Sequence, residues 1–187
     1  MSDWIQNVTT INGNPATLEM IRRTNFDFEK IHPYDLGNVE DRNEWYRQVW
    51  GTWEPARDIQ IHFDGRNMRI FYRTRISTPH GIFAYLTLHN PDLTIRTTWT
   101  REMIEYVGLA TYERGIITSK SFDPFDFKPS ALKRFSAENP WFSYSNYCLY
   151  VIDHETVGDA DDSRRSEVTY KEWTMSYYDW LNMHMPR

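Results

Sequence analysis

Between Arg57 and Arg75 the chain alternates apolar and polar positions twice over. Ile59, Ile61 and Phe63 alternate with Gln60 and His62. After Asp64-Gly65, Met68, Ile70 and Tyr72 alternate with Arg69, Phe71, Arg73 and Arg75. Period two is the signature of a strand with one buried face. An Asp-Gly pair between two such runs predicts a hairpin with a type I′ turn, because Gly tolerates the positive φ that turn requires. A looser alternation predicts a first strand from Trp4 to Ile11. Asn14 as cap and Pro15 at the first helical position predict a helix to about Arg23, with Leu18, Ile21 and Met20 supplying its inner face.

The segment FDFEKIHPYD reads as irregular chain that packs Phe26, Phe28 and Ile31 inward. A short helix from about Glu40 to Val49 is ended by Gly51 and barred from continuing by Pro55. Thr78 as cap and Pro79 as opener predict a further helix, with an apolar stripe of Ile82, Phe83, Tyr85, Leu86 and Leu88 and a stop at Asn90-Pro91. Leu93, Ile95 and Trp99 then mark one face of a strand, and one or two more strands follow, broken near Gly115. The order strand, helix, strand, strand, helix, strand predicts an α+β protein with a ferredoxin-like antiparallel sheet and helices on one face.

The character changes beyond Pro124. Residues 129–140 read as a short helix, 141–153 as a strand and 154–167 as a polar loop. Trp173, Tyr177, Trp180, Leu181 and His184 fall at helical spacing and predict a terminal helix with an aromatic face. The expected division is a ferredoxin-like core over 1–122 and a C-terminal extension over 123–187, packed on the core as one domain with an extra strand and helix.

Composition narrows the function. With 187 residues, 40% hydrophobic and 16% aromatic, the chain is long enough to bury a core without disulfides or metal. Its one cysteine, Cys148, allows no internal disulfide and no cysteine-built zinc site, which suits a reducing cytoplasm. The first residues show no leader pattern and no run approaches a membrane span, so the host cell cytoplasm is the expected location. A net charge of −5 does not favour general nucleic-acid binding, though it allows a local basic patch. The six histidines show no close ligand spacing, and there is neither a nucleophile elbow nor a glycine-rich phosphate loop. No catalytic residue, cofactor or metal is expected. The acid–base cluster Asp153, His154 and Glu155 reads as the opening of a loop.

Two surfaces stand out. Strand alternation puts Arg69, Phe71, Arg73 and Arg75 on one face, with His62 and Gln60 beside them and Arg96 on a later strand. An open sheet carrying arginine and an aromatic can neutralise and stack a nucleotide or single-stranded nucleic acid. The competing reading folds the C-terminal third back, pairing the arginines with Asp153, Glu155, Asp159, Asp161 or Asp162. The second surface is the tail, where Trp173, Tyr177, Tyr178 and Trp180 suit a protein interface. Tyr177 and Tyr178 are adjacent, so at least one should stay exposed. Trp45, Trp50 and Trp53 read as core or lid, with a partner surface as the alternative.

Several stretches together resemble the YubB-type ferredoxin-like family of plasmids and phages: DWIQNVTTINGNP, FEKIHPYD, NEWYRQVWGTWEP, YRTRISTPHGIFAYLTLHNPDLTI and YERG. The resemblance covers roughly residues 1–115 and rests on Trp4, Asn7, Gly13, Trp50, Gly51, Thr52, Ser77, Thr78 and Pro79. The chain departs from the family at Trp53-Glu54-Pro55, where a Lys-Trp-Asp continuation is common, and at His80, where a second proline is common. The resemblance implies the fold and a mobile-element origin, and it implies no chemistry. The expectation is a small accessory protein that acts by binding. Foremost is a non-catalytic inhibitor of a host defence factor, with a host or phage protein as partner. The alternatives are nucleotide or single-stranded nucleic-acid binding through the arginine face, and a structural virion component.

Overall fold

The computed structural model describes residues 4–34, 41–101, 107–122 and 170–184. The helix, strand and loop expected over 129–167 fall outside those residues. Among the described residues seven strands form one antiparallel sheet: β1 Trp4–Asn12, β2 Arg57–Phe63, β3 Asn67–Arg75, β4 Thr94–Arg101, β5 Val107–Glu113, β6 Ile116–Phe122 and β7 Tyr170–Ser176. Their order across the sheet is β2-β3-β1-β4-β5-β6-β7. The helices among the described residues are α1 Pro15–Arg23, α2 Phe28–Ile31, α3 Arg42–Trp45 running into a π-turn at Tyr46–Trp50, α4 His80–His89 and α5 Tyr177–His184. The protein is thus an α+β sheet with helices packed on it, and among the described residues no helix is long and apolar enough to cross a membrane.

The strand alternation predicted for the hairpin holds, with Met68, Ile70, Tyr72 and Thr74 buried and Arg69 and Arg75 exposed. Its turn differs from the prediction. Asp64 N donates to Asn67 O at 3.2 Å, and the Asp64 carboxylate accepts from the N–H groups of Arg66 and Asn67 at 2.8 and 2.7 Å. Asp64 therefore stands at the first turn position, and of the two central residues only Gly65 has positive φ, at +90°. Two successive positive φ values, the pattern of type I′, occur instead at Arg114 and Gly115 between β5 and β6.

The inner face of β1 carries two polar residues, and the network around them explains a second difference. Asn7 donates to Thr74 Oγ1 at 2.8 Å and accepts from Thr78 Oγ1 at 2.9 Å; Thr9 bonds to Thr97 at 2.8 Å and Tyr72 at 3.1 Å. The Thr78 hydroxyl is spent on this buried pair and does not cap α4, whose capping position is Pro79. Asn14 does cap α1, accepting from Ala16 N at 2.9 Å, while Leu18 and Ile21 are buried and Met20 stays half exposed at 50%. Phe28 and Ile31 lie inward as expected, on a short helical turn rather than irregular chain.

The tail corrects the sequence reading most. Tyr170–Ser176 is a strand, not the start of a helix, and pairs with β6 from Ile116↔Ser176 to Phe122↔Tyr170. An unpaired strand edge on β6 offers seven residues of backbone partners, and YKEWTMS can alternate faces as well as wind. Ser176 then caps α5, its Oγ accepting from Asp179 N at 3.1 Å. Trp173 consequently sits on the inner face of an outer strand. It stacks on Trp180 across 6.3 Å between ring centroids.

Candidate anion-binding face

Register decides which side chains share the outer face. His62 pairs with Arg69, Arg69 with Thr10, Thr10 with Arg96 and Arg96 with Thr111. These residues form one row running perpendicular to the strands. The neighbouring row holds Gln60, Phe71, Val8 and Thr98, and the next holds Arg57, Arg73 and Gln6. All the arginine-face residues expected from the sequence, Arg69, Phe71, Arg73, Arg75, Arg96 and His62, therefore lie on the outer side of the sheet. The helical layer packs on the other side.

The arginines divide into two groups. A register shift between Arg57 and Gln60, with Asp58 at φ +53°, brings the Asp58 carboxylate to Arg73, where Nε donates at 2.5 Å. Arg75 donates to Glu54 at 2.9 Å, and Arg57 also pairs with Glu54. The hydrogen bond from Arg75 and the charge of Arg57 hold the Glu54 carboxyl below its ordinary range. Arg57 and Arg73 both lie over the Trp4 ring, at 5.1 and 5.5 Å from its centroid. These three arginines form a brace at one corner of the sheet. Their carboxylates come from the segment just before the hairpin and the bulge within it. Asp153, Glu155, Asp159, Asp161 and Asp162 lie outside the described residues.

The second group lines a groove of about 770 Å³ over β2, β3, β1 and β4, walled by Arg69, Arg96, His62, Thr10, Asn12 and Thr98 among others. Arg69 lies 5.0 Å over the Phe71 ring, and His62 meets that ring edge-on at 5.7 Å. Asp64 closes one end, its carboxyl pulled below the usual range by the N–H groups of Asn67 and Arg66. Sequence reasoning found the arginines but missed Asp64, Thr10 and the brace. Pairing register alone brings Thr10 between two arginines, and only the Asp58 bulge makes Arg73 a partner of that carboxylate.

The tail residues expected to form a protein interface divide differently. Trp180 and Tyr177 are buried in the core at 5% exposure each, and Trp173 is half-buried against it, so these three are not an exposed interface. Tyr178 alone is exposed, at 64%, as adjacency required. Trp180 Nε1 donates to the Gln48 carbonyl in the π-turn at 3.1 Å, where a helix end leaves carbonyls without helical partners. Its ring closes on Gly51, at φ +87°, and on Gly81, where an added Cβ would stand 1.7 Å from the Val49 carbonyl oxygen. Trp45 and Trp50 are buried, with Trp50 stacked 3.9 Å from Tyr46, and Trp53 is exposed at 41%.

His80 lies beneath this cluster. It shares a 2.7 Å hydrogen bond with the Tyr112 hydroxyl, and the rings of Trp99, Trp173 and Trp180 surround it at 5.3–5.6 Å. Burial, aided by the nearby His184, pushes its pKa down to about 3. His32 bonds the Tyr177 hydroxyl at 2.7 Å and is lowered to about 4, again mainly by burial. Among the described residues no group of three or more His, Cys, Asp or Glu is placed to hold a metal ion.

No family model matches the chain, and no curated protein matches it. Among solved structures it is similar to the crystal structure of a protein api92 from Yersinia pseudotuberculosis (family model DUF1281), with 18% identity and a TM-score of 0.41. The match covers 47% of this chain and 36% of that one, so this chain spans little more than a third of that protein's length.

Proposed function

We propose that the protein acts by binding, and that its ligand is a nucleotide or single-stranded nucleic acid held on the outer sheet face. The observation that carries this reading is the groove in which Arg69 and Arg96 flank Thr10, with His62 and the Phe71 ring alongside. Guanidinium groups match phosphate oxygens in a planar fork, and an adjacent ring offers a base a stacking surface. Beneath it, we read β1–β4 as a ferredoxin-like unit widened by β5–β7. The order β2-β3-β1-β4 and the helices between β1 and β2 and between β3 and β4 support that reading. A mobile-element origin rests on the sequence resemblance alone.

A protein-binding inhibitor of a host defence factor ranks second. The net charge of −5 favours it, but of its tail surface only Tyr178 remains exposed, with Met183 at 61% on the same helix. The test is a low-salt titration with nucleotides and short oligonucleotides. Wild type should bind with an affinity that falls as salt rises, and Arg69→Glu should weaken it by roughly tenfold or more. A flat wild-type titration removes the reading.

A further inference from the structure

The outer face is not uniform across the rows. The row His62, Arg69, Thr10, Arg96 is polar throughout, and its line continues beyond β4 through Thr111, Thr118 and Thr174. The next row toward the brace carries Phe71 and Val8, and on the far side the turn places the Asp64 carboxylate. Anionic groups are thus welcomed along one line, rings along the line beside it, and a second line of anions is repelled by Asp64.

A chain that alternates phosphates and rings fits that arrangement only one way. Resting on the reading above, we propose that the groove takes a short single strand of nucleic acid laid across the β-strands, not a lone nucleotide. Its phosphates lie on His62, Arg69, Thr10 and Arg96, and its bases lie on Phe71 and Val8. Adjacent strands are about 4.8 Å apart, so the four strands of the groove span roughly 14 Å, more than one phosphate occupies. Leu109, which faces the same side two strands beyond Val8, is buried at 3% exposure, so the ring line ends near Thr98 while the polar line runs on. The site therefore accepts few bases and more backbone.

Competition binding at low salt tests this with thymidine monophosphate, tetrathymidylate, octathymidylate and heparin against wild type, Arg69→Glu, Phe71→Ala and Asp64→Asn. Tetrathymidylate should bind roughly tenfold tighter than the mononucleotide, and octathymidylate tighter again through added phosphate contacts. Phe71→Ala should weaken the oligonucleotides about tenfold and leave heparin unchanged. Asp64→Asn keeps the turn's acceptor oxygen, so it folds normally, and should tighten the oligonucleotides about twofold by removing a like charge. Equal affinity for mononucleotide and tetramer overturns the inference and leaves the nucleotide reading standing. Heparin binding as tightly as octathymidylate, with Phe71→Ala silent, also overturns it. Failure of wild type to bind any of the thymidine ligands removes the parent reading and this one together.

Discussion

The two faces of the sheet are built from alternate residues of the same strands, and they hold their polar groups in opposite ways. On the inner face, Asn7 and Thr9 are sealed from water and bonded to Thr74 and Thr97, and His80 of α4, packed against that face, bonds to Tyr112 beneath an aromatic lid. On the outer face, Arg57, Arg73 and Arg75 meet Glu54 and Asp58 at partly exposed positions, and Arg69 lies over Phe71. Burial makes the inner groups costly to disturb, because a lost partner leaves an unpaired polar atom with no water to replace it. Solvent screens the outer pairs, so their net contribution to stability is small. Inner-face substitutions should be read in folding, outer-face ones in binding.

The largest effect is expected at the seal of the inner face. Trp180→Ala removes a buried ring and the donor to Gln48, and should cost about 3–5 kcal/mol in urea denaturation. A loss below about 1 kcal/mol would mean that α5 is not part of the core.

Acid comes next. His80 and His32 are held neutral in the fold, at about 3 and about 4, and the unfolded chain protonates them near the ordinary 6.5. Lowered histidine values mean that the unfolded state binds more protons between these limits. Stability is therefore full above about pH 6.5 and falls as pH drops toward 4, by roughly 1 kcal/mol per pH unit for each histidine. Unfolding midpoints from pH 7 to 4 check this, and His80→Gln should flatten the slope.

The smallest stability effects belong to the outer face. Glu54→Ala should change stability by about 1 kcal/mol or less, yet tighten oligonucleotide binding by releasing Arg57 and Arg75 from their shared carboxylate. Unchanged binding in that variant would place the brace outside the ligand's reach.

Much of the outer face was legible because strand alternation is a local property. Met68, Ile70 and Tyr72 against Arg69, Arg73 and Arg75 can be assigned to opposite sides by counting in twos. The brace was not legible. Asp58 reaches Arg73 through a bulge, and Arg75 meets a carboxylate 21 residues earlier, so neither pair follows a period. The tail failed for a different reason. Trp173, Tyr177 and Trp180 fit helical spacing, but hydrogen bonds offered by the distant β6 edge made the first of them part of a strand. An apolar or aromatic spacing also says only that a face will be covered, not by what. Trp180 is covered by Gly51, Gly81 and His80 of this same chain, which is why an aromatic surface in the sequence became core.

The sequence by itself determined the elements whose signals are local: β1, the hairpin, the Asn14-capped helix, the stop at Gly51, the turn near Gly115 and the side to which the hairpin residues beyond the Asp58 bulge point. Tertiary structure alone decided the transverse rows, because they depend on how strands distant in sequence align. It also decided which carboxylates the brace arginines meet and where the tail lies. Local sequence fixes dihedral preference and periodicity, whereas register and closure are set by backbone and aromatic partners dozens of residues away, and those are chosen only when the whole sheet assembles.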